Sequence, residues 1–516
     1  MASFDELIHS IQKDGNDGKV FKKFIKIFLK NDAYWKTQVK DVWMWEEYPD
    51  KWSKDIGTDL VFRDKYGYNW AVQVKCYDEK YYISKEDLDS FLSHSSNKRI
   101  QKKLIIASTN NLGANARNVI EEHDKPVTLF LRDSFLNSQY PFPVHYKNTN
   151  RISNKKPNTP HPYQAEAITN VINGFKSNNR GQLIMACGTG KTLTSLWIKE
   201  GLKSNLTLYL VPSLNLLSQV AREWSYNSNI KINVLCICSD KSVGKRSYDE
   251  IEEKLTDAPF NVQNDEKDII NFIKSRGNKV IFCTYHSLPI LKRIHKNTSI
   301  PGFELIIADE AHKVASERIE KNYYSIVLDN KYVRYKKILF CTATSRTYKD
   351  HIKKRAKARG QELSGMEDKK LFGKPFHTLS FSEAIYHKPK PLLTPYQIVV
   401  MGVDSDEISK KIIERELVKD SSGKVNTDAE SLANLIGTLK AIKKHDISKI
   451  ITFHTKVDFA QKFSEEILSL NESFKSKDFP KAKLFTDYVK GKGMSSFERS
   501  KKIKKLEINK KNEIRL

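Results

Sequence analysis

The sequence predicts an α/β protein whose largest part is a parallel β-sheet covered by helices. Two observations support this fold class. From residue 163 onward, short and continuously apolar segments alternate with helical patterns, and such segments are typical of strands buried on both faces. Before residue 147, a smaller block also alternates helix-like and strand-like patterns. We therefore expect a small α/β domain, a linker and a larger α/β region within the 516 residues.

The smaller block begins with an amphipathic helix and continues with a hairpin. The helix is indicated by apolar residues at helical spacing, namely Phe21, Phe24, Ile25, Phe28 and Leu29. Residues 57–77 then read as two strands around a short turn that contains glycine. A helix is expected around residues 86–93, and a short apolar strand at 103–108. These elements predict a domain over residues 1–146.

The clearest linker is residues 147–162, which are polar, contain prolines and show no apolar period. The buried strands expected after it are residues 182–187, 206–211, 232–238, 280–284, 303–308 and 337–342. They predict a parallel-sheet domain over residues 163–346. A charged connecting region follows at 347–395, and a second strand–helix alternation at 396–516 includes an expected strand at 450–454.

The charge of the chain favours a polyanionic partner. The formal net charge is +26 and is spread along the chain, which most simply indicates nucleic acid. A lysine-rich genome that encodes lysine at any solvent-exposed position would give the same excess of positive charge. Charge alone leaves both interpretations open. The six cysteines lack zinc-site spacing and read as buried thiols of a reducing compartment. Without a signal-peptide pattern or a membrane-spanning apolar run, we expect a soluble, cytoplasmic protein with no membrane partner.

Residues 186–192, Ala-Cys-Gly-Thr-Gly-Lys-Thr, lie between an apolar strand and a helical segment and predict a site for ATP. Gly188, Thr189 and Gly190 would wrap backbone N–H groups around phosphate oxygens, and the helix N-terminus would add a favourable dipole. Lys191 can reach the terminal phosphates, and the Thr192 hydroxyl can ligate Mg²⁺. A chance glycine-rich turn is the alternative interpretation.

A second buried strand ends in two carboxylates, Asp309 and Glu310. In a doubly wound sheet, the carboxyl ends of the strands beside a phosphate loop are where the site is built. Asp309 is then placed to hold the Mg²⁺ shell, and Glu310 to orient or activate the attacking water. The pair could instead cap a helix, but the phosphate loop favours the nucleotide site.

These motifs resemble those of superfamily 2 helicase-type ATPases, whose Asp-Glu-Ala-His motif stands here at residues 309–312. The resemblance implies a RecA-like fold and ATP hydrolysis coupled to movement on nucleic acid. It also implies roles for further residues: Tyr163 and Gln164 in reading adenine, Pro212, Ser213 and Thr284 in gripping the nucleic-acid backbone, and His312, Thr342 and Thr344 in coupling. The phosphate loop departs from the strict pattern at Met185, where glycine is usual.

The hairpin suggests metal-dependent chemistry. Gln73 and Lys75 share one face of its second strand, whereas Val72 and Val74 point into a core. Asp59 lies across the hairpin and could supply a Mg²⁺ ligand, with Gln73 completing the shell and Lys75 polarising a water or steadying the phosphate. An amphipathic hairpin with an exposed Asp–Lys pair would explain the same pattern, and the hairpin alone does not decide between them.

The segments Gly57–Leu60 and Val72–Lys75 resemble the Mrr-like form of the PD-(D/E)XK nuclease core, in which glutamine replaces the second acid. Mrr-like domains often carry a metal-site glutamate on the first helix, after a Gly-x-x-Phe pattern. This chain has Lys22 in that place. Because lysine does not bind Mg²⁺, the departure predicts weakened or lost cleavage.

Together, a Mrr-like nuclease domain, a RecA-like lobe and an incomplete second RecA-like lobe resemble the N-terminal nuclease–helicase part of type ISP restriction enzymes. The resemblance covers essentially the whole chain. It implies an ATP-dependent DNA helicase or translocase fused to a Mg²⁺-dependent endonuclease of a restriction or phage-defence system, with double-stranded DNA as partner. An RNA-directed helicase is a weaker choice, because the Mrr-like domain favours duplex DNA.

The sequence lacks the last helicase motifs and a methyltransferase motif. The alternative is therefore a truncated, catalytically impaired DNA-binding remnant, or one subunit of a split enzyme. In the second case, a separate polypeptide would carry the remaining motor motifs, the methyltransferase and the target-recognition domain. For either case we expect ATP binding with poor hydrolysis by this chain alone, because the arginines of the last motifs stabilise the transferred phosphoryl group.

Overall fold

The computed structural model describes residues 2–13, 17–52, 57–145, 157–238, 260–315, 323–358, 363–404, 429–473, 477–490, 494, 496–508, 510 and 512–516. These residues form two compact units, one up to residue 394 and one from residue 395. Among the described helices, none is both long and apolar enough to cross a bilayer. Most of the predicted linker lies outside the described residues, and its last residue, Pro162, begins a helix.

The first part of the chain is a five-stranded sheet with helices on both faces. Its elements are α1 (Phe4–Gln12), α2 (Asp17–Asn31), α3 (Trp35–Gln38), β1 (Val39–Met44), β2 (Leu60–Asp64), β3 (Asn69–Lys75), α4 (Glu86–His94), β4 (Lys102–Ala107), α5 (Ala114–Glu121), β5 (Val127–Phe130) and α6 (Arg132–Leu136). The strands lie in chain order. The first two pairings are antiparallel and the last two are parallel, so the sheet is mixed.

The predicted hairpin is confirmed as β2 and β3. Leu60 lies opposite Val72 and Arg63 opposite Asn69, and Gly67 takes a left-handed φ of 91° in the turn. The apolar stripe of α2 is buried on one face of the sheet, and α4 and α5 cover the other face. Both faces of β3 are therefore packed, which fixes the direction of every side chain along this strand.

The second part of the chain is a seven-stranded parallel sheet. Its elements are α7 (Pro162–Ser177), β6 (Arg180–Met185), α8 (Lys191–Gly201), β7 (Leu206–Val211), α9 (Leu214–Asn227), β8 (Asn233–Ile237), α10 (Glu266–Lys274), β9 (Lys279–Thr284), α11 (Leu288–Ile294), β10 (Phe303–Ala308), β11 (Tyr335–Thr342), α12 (Asp350–Ala358), α13 (Lys369–Phe372), β12 (Lys374–Leu379) and α14 (Phe381–Ile385). The strand order is β12-β6-β11-β10-β7-β9-β8, and every pairing is parallel.

All six predicted strands of this sheet are present, with ends that shift by one or two residues. The sequence did not predict β12, which lies in the weakly patterned connecting region and pairs with β6. It is an edge strand whose side chains are mostly exposed or half-buried. An edge strand with one polar face carries no continuous apolar run, and this explains why its pattern was missed.

The five-stranded sheet and the seven-stranded sheet pack against each other within the first unit. Gln38 Nε2 donates to the Val234 carbonyl at 3.0 Å. The Tyr68 hydroxyl, beside the hairpin turn, donates to Asp268 at 2.6 Å. Lys102 Nζ donates to Asn261 Oδ1 at 2.8 Å in a buried contact. Apolar and polar contacts therefore join the two sheets directly.

In the described part of the second unit, there are a short parallel ladder and three helices. Its elements are α15 (Ala429–His445), α16 (Val457–Ser473), β13 (Lys483–Phe485), α17 (Ser496–Lys504) and β14 (Glu513–Arg515). β13 pairs with β14 in parallel, and Lys449 bridges to Arg515. Parallel pairing with flanking helices is the arrangement of an α/β region.

The strand expected at residues 450–454 is wrong. After the bond from the Ile450 N–H to the Arg515 carbonyl at 2.9 Å, this segment makes no strand pairing in the described part of the chain. Phe453 is 92% exposed, and Ile398, in the segment where the second alternation was expected to begin, is 82% exposed. An apolar pattern becomes a strand only when a neighbouring backbone accepts and donates its hydrogen bonds.

Two candidate active sites

The predicted phosphate loop connects β6 to α8, and its backbone requires glycine at two positions. Gly188 and Gly190 have φ values of 85° and 80°, in the left-handed region. Gly190 is also the N-cap of α8, and a Cβ atom there would lie 2.4 Å from Gln164 Nε2. The loop therefore passes close to the start of α7 with backbone N–H groups at the helix N-terminus, as an anion cradle needs.

Residues at the start of α7 hold the loop from outside. The Tyr163 hydroxyl and Gln164 Nε2 both donate to the Thr189 carbonyl, at 3.2 and 3.3 Å. Gln164 Oε1 accepts from the His161 N–H at 2.9 Å, so both ends of this buried side chain are bonded. The sequence assigned Tyr163 and Gln164 to adenine, and the structure brings both into contact with the phosphate loop.

The side chains of the loop itself are bonded locally. The Thr189 hydroxyl donates to the Ala186 carbonyl at 2.7 Å, and Lys191 Nζ donates to the Met185 carbonyl at 3.1 Å. Thr192 is half-buried, and its carbonyl accepts from the Trp224 indole at 3.0 Å. The Met185 carbonyl, just before the loop, therefore holds the Lys191 side chain over the loop.

The two carboxylates at the end of β10 differ in environment. Asp309 is buried, accepts from the Tyr209 hydroxyl at 3.1 Å and accepts from the Glu310 N–H at 2.9 Å. Burial, and then the charge of Glu310, raise the pKa of Asp309 to about 6. A hydrogen bond from His312 lowers the pKa of Glu310, and Lys191 lowers the pKa of both carboxyls. Glu310 has a φ of 50°, an unusual conformation for a non-glycine residue at a strand end.

The three residues predicted to couple hydrolysis to movement are brought together. His312 Nδ1 lies 3.1 Å from Thr342 Oγ1 and 3.3 Å from a Glu310 carboxylate oxygen. The Thr342 hydroxyl donates to the Thr344 carbonyl at 2.9 Å. A continuous polar path therefore runs from Glu310 to the end of β11.

Of the residues predicted to grip nucleic acid, Pro212 and Ser213 follow β7, and Thr284 ends β9, at the carboxyl edge that also carries the phosphate loop. Pro212 and Thr284 are buried, and Thr284 Oγ1 lies 2.9 Å from Ser287 Oγ. Ser213 is half-buried and caps α9 by accepting from the Leu216 N–H at 3.3 Å. Only Ser213 of these three side chains is partly accessible.

The predicted nuclease residues meet on the hairpin. Asp59 directly precedes β2, and its N–H donates to the carbonyl of Val72, the neighbour of Gln73 in β3, at 2.9 Å. The Val74 N–H donates to Asp59 Oδ2 at 2.7 Å, and Lys22 Nζ, from α2, forms an ion pair with Asp59 Oδ1 at 2.5 Å. Burial raises the pKa of Asp59, against the lowering effect of Lys22 and Lys75.

Gln73 and Lys75 complete the group on the same face of β3. Gln73 is buried, and its Oε1 has no hydrogen-bond partner among the described residues. Lys75 is half-buried, with Nζ 5.8 Å from the centre of the Tyr77 ring. Within the described ranges, no three acidic, histidine or cysteine side chains cluster as a metal site would. The oxygen donors at this site are therefore the Asp59 carboxylate and the free Gln73 oxygen.

Sequence reasoning missed Tyr209, whose hydroxyl holds Asp309. The signal was present, since a tyrosine within a fully buried strand usually places its hydroxyl against a partner. The contact between Lys22 and Asp59 was not expected either. Lys22 was noted only as a departure from a family pattern, and nothing local pairs positions 22 and 59.

Two family models match this chain. The model described as "Restriction endonuclease" matches residues 30–151, and the model described as "Type III restriction enzyme, res subunit" matches residues 158–347. Two adjacent regions of the chain therefore match two different restriction-enzyme models. The phosphate loop and Asp309 fall within the second match, and Asp59, Gln73 and Lys75 fall within the first.

Known proteins resemble this chain over different lengths. It is 30% identical over 185 residues to "Probable helicase A859L" of two African swine fever viruses, isolate Tick/South Africa/Pretoriuskop Pr4/1996 and strain Badajoz 1971 Vero-adapted. These matches cover 36% of the chain and 19% of each relative. The solved structure "ATP-dependent Type ISP restriction-modification enzyme LlaBIII bound to DNA" matches with a TM-score of 0.78 and 24% identity. That match covers 99% of this chain and 34% of LlaBIII, and it shows a shared fold.

Proposed function

We propose that the protein is an ATP-dependent DNA helicase or translocase fused to a Mg²⁺-dependent DNA endonuclease, acting on cytoplasmic double-stranded DNA in a restriction or phage-defence system. The observation that carries the proposal is the packing of two different sites into one unit, a phosphate loop with its carboxylates and a hairpin with Asp59, Gln73 and Lys75. We assign residues 1–146 to the nuclease, 163–346 to the first motor lobe and 396–516 to part of a second lobe, joined by 147–162 and 347–395.

The geometry of the phosphate loop supports ATP as ligand. The left-handed glycines leave a cradle in which no Cβ fits at Gly190, and the N–H groups of α8 face an incoming anion. Lys191 would move from the Met185 carbonyl to the terminal phosphates. Thr192 and Asp309 would hold Mg²⁺, which supplies charge neutralisation when bound, and Glu310 would orient the attacking water.

The hairpin donors support a hard cation at the nuclease site. The Asp59 carboxylate and the unpartnered Gln73 oxygen are ligands of the type that Mg²⁺ prefers. Bound there, Mg²⁺ would supply positive charge at the scissile phosphate. Lys75 would stabilise the charge that develops on that phosphate. Backbone groups of the loops at Pro212, Ser213 and Thr284 would contact the DNA backbone, without reading its sequence.

The test is plasmid nicking by the purified full chain, with and without ATP and Mg²⁺. We expect Mg²⁺-dependent nicking that Asp59→Ala and Lys75→Ala abolish, and DNA-stimulated ATP hydrolysis that Lys191→Ala abolishes. DNA binding should weaken steeply with salt and show little sequence preference. Nicking that persists in Asp59→Ala would overturn the nuclease assignment.

The ion pair between Lys22 and Asp59 favours a second candidate, a DNA-binding subunit with impaired catalysis. A separate polypeptide would then supply the remaining motor motifs, the methyltransferase and the target-recognition domain. This candidate predicts ATP and DNA binding without nicking or hydrolysis by the chain alone. Adding a polypeptide that carries the missing motor motifs should restore ATP hydrolysis, and failure to do so would count against it.

A further inference from the structure

The nuclease site already contains a positive charge on its central carboxylate. Lys22 Nζ lies 2.5 Å from Asp59 Oδ1, and the Val74 N–H takes Asp59 Oδ2 at 2.7 Å. Both oxygens of this carboxylate are therefore engaged by groups of the chain. A metal ion bound through Oδ1 would lie close to the ammonium and be repelled by it, so metal binding would compete with this ion pair.

Packing explains why Lys22 reaches this carboxylate. Phe21 and Ile25 are buried against the sheet. Lys22, which lies between them in the sequence, therefore leaves the side of α2 next to the hairpin. Its side chain is 36% exposed, whereas that of Asp59 is 11% exposed. One turn further along, Lys26 is paired with Glu47. The nearly buried carboxylate thus holds a lysine that still has a path to solvent.

We propose that Lys22 is a tethered counter-ion that occupies the cation position at Asp59 and must swing away before Mg²⁺ binds, so that the nuclease stays inactive until a DNA phosphate draws the ammonium off. This inference rests on the proposed function, since it takes Asp59 as the metal ligand. An ammonium pairs equally well with a carboxylate or a phosphate. The partly exposed side chain lets Lys22 exchange one partner for the other without any change in the fold.

Mn²⁺ affinity of the full chain, measured without DNA and without nucleotide, tests this inference. The nuclease site is isolated as the binding that Asp59→Asn removes, since the ATP site is unchanged by that substitution. Lys22→Gln should bind Mn²⁺ at this site about tenfold more tightly than the wild type, the scale of one lost ion pair. Lys22→Arg keeps the charge and should keep the wild-type affinity. Lys23→Gln, an exposed neighbour on the same helix, should also match the wild type.

Addition of a short DNA duplex gives a second readout. The duplex should raise the Mn²⁺ affinity of the wild type towards that of Lys22→Gln and leave Lys22→Gln almost unchanged. In plasmid nicking, Lys22→Gln should require less Mg²⁺ for half-maximal rate, with the difference disappearing at saturating Mg²⁺. A purely structural role for Lys22 would not produce this pattern.

The outcomes separate this inference from the proposed function. Equal Mn²⁺ affinity in wild type and Lys22→Gln, together with nicking that depends on Asp59, overturns the counter-ion and leaves the nuclease intact. Metal binding that is independent of Asp59 in every variant overturns both. Thermal unfolding of each variant shows that it is folded, and Lys22→Met provides a second neutral variant should Lys22→Gln unfold.

Discussion

The candidate ATP site and the candidate nuclease site each place a lysine near a buried carboxylate beside a strand, but the lysines have different partners. Lys191 donates to a backbone carbonyl of its own loop. Lys22 is bonded to the carboxylate itself. The first arrangement leaves its carboxylates available to a metal ion, whereas the second must open before a metal can enter.

The carboxylates explain this difference. Asp309 receives a tyrosine hydroxyl and a backbone N–H, so neutral donors hold it in place. Asp59 accepts one hydrogen bond from a backbone N–H, and its other oxygen forms an ion pair with the Lys22 ammonium. Burial of a carboxylate costs free energy unless the carboxylate is hydrogen-bonded or paired. Neutral dipoles offset this cost at Asp309, and a positive charge offsets it at Asp59.

The largest effect is expected in the ATP site. Lys191→Ala removes the only loop side chain that can carry positive charge to the terminal phosphates, and we expect DNA-stimulated phosphate release to fall by about a thousandfold. Nicking that needs no ATP should be unaffected. Lys176→Ala, an exposed lysine at the end of α7, is the matched control. Hydrolysis at the wild-type rate in Lys191→Ala would show that the loop is not the nucleotide site.

The matching change in the nuclease site is Asp59→Asn. It keeps the size of the side chain but removes the charge, and we expect plasmid nicking to fall by about a hundredfold while ATP hydrolysis is unchanged. Joint loss of both activities would mean that the two sites are not independent. The measurement is the initial nicking rate and the phosphate-release rate on the same preparations.

A smaller effect concerns a neutral group in the core of the motor lobe. His295 is 3% exposed, and its Nδ1 accepts from the Arg334 N–H at 2.9 Å. Burial, and then Arg334, lower the pKa of His295 to about 4. The unfolded chain takes up a proton below about pH 6.5 while the folded chain does not, so stability falls as the pH drops from about 6.5 to 4.

Between pH 7 and pH 5, the lowered pKa of His295 should decrease the free energy of unfolding by about 2 kcal/mol. Denaturant unfolding of the wild type and of His295→Asn over this pH range measures the difference, because the other titrating groups are common to both. The variant should show the flatter dependence. Parallel curves would mean that His295 is protonated equally in the folded and unfolded states.

The smallest effect is expected where the nuclease meets the motor lobe. Tyr68→Phe removes the hydroxyl that donates to Asp268 and should lower the unfolding free energy by about 1 kcal/mol. Tyr82→Phe alters an exposed tyrosine of the same domain and should change nothing. An unchanged melting curve for Tyr68→Phe would show that this contact adds no stability.

The sequence predicted those parts of the fold that depend on local patterns. Continuous apolar runs located six strands of the parallel sheet, and the spacing of Gln73 and Lys75 located one face of the hairpin. The polar edge strand β12 has no such pattern, and the apolar run at residues 450–454 lacks the neighbouring strand that pairing requires. The glycines of the ATP site lie close together in the sequence after β6, and its two carboxylates are adjacent after β10. Each group can therefore be found as a motif.

Contacts between distant positions were beyond such patterns. Tyr209 meets Asp309 only because β7 and β10 are neighbours in the sheet. Lys22 meets Asp59 because α2 packs across the hairpin, and this depends on how the whole domain closes around its core. The partner of a lysine is a property of tertiary packing, and composition or spacing along the chain does not encode it.

The hydrogen bonds between the hairpin turn region, β8 and α10 fix more than the stability of the first unit. Packed side chains join the five-stranded sheet to the seven-stranded sheet, so under the proposed function the nuclease would move together with the first motor lobe. The DNA phosphate within reach of Asp59 would then lie at a constant distance from the stretch of DNA that the lobe contacts. In a motor that advances along DNA, the position at which the motor stops would therefore set the position of cleavage.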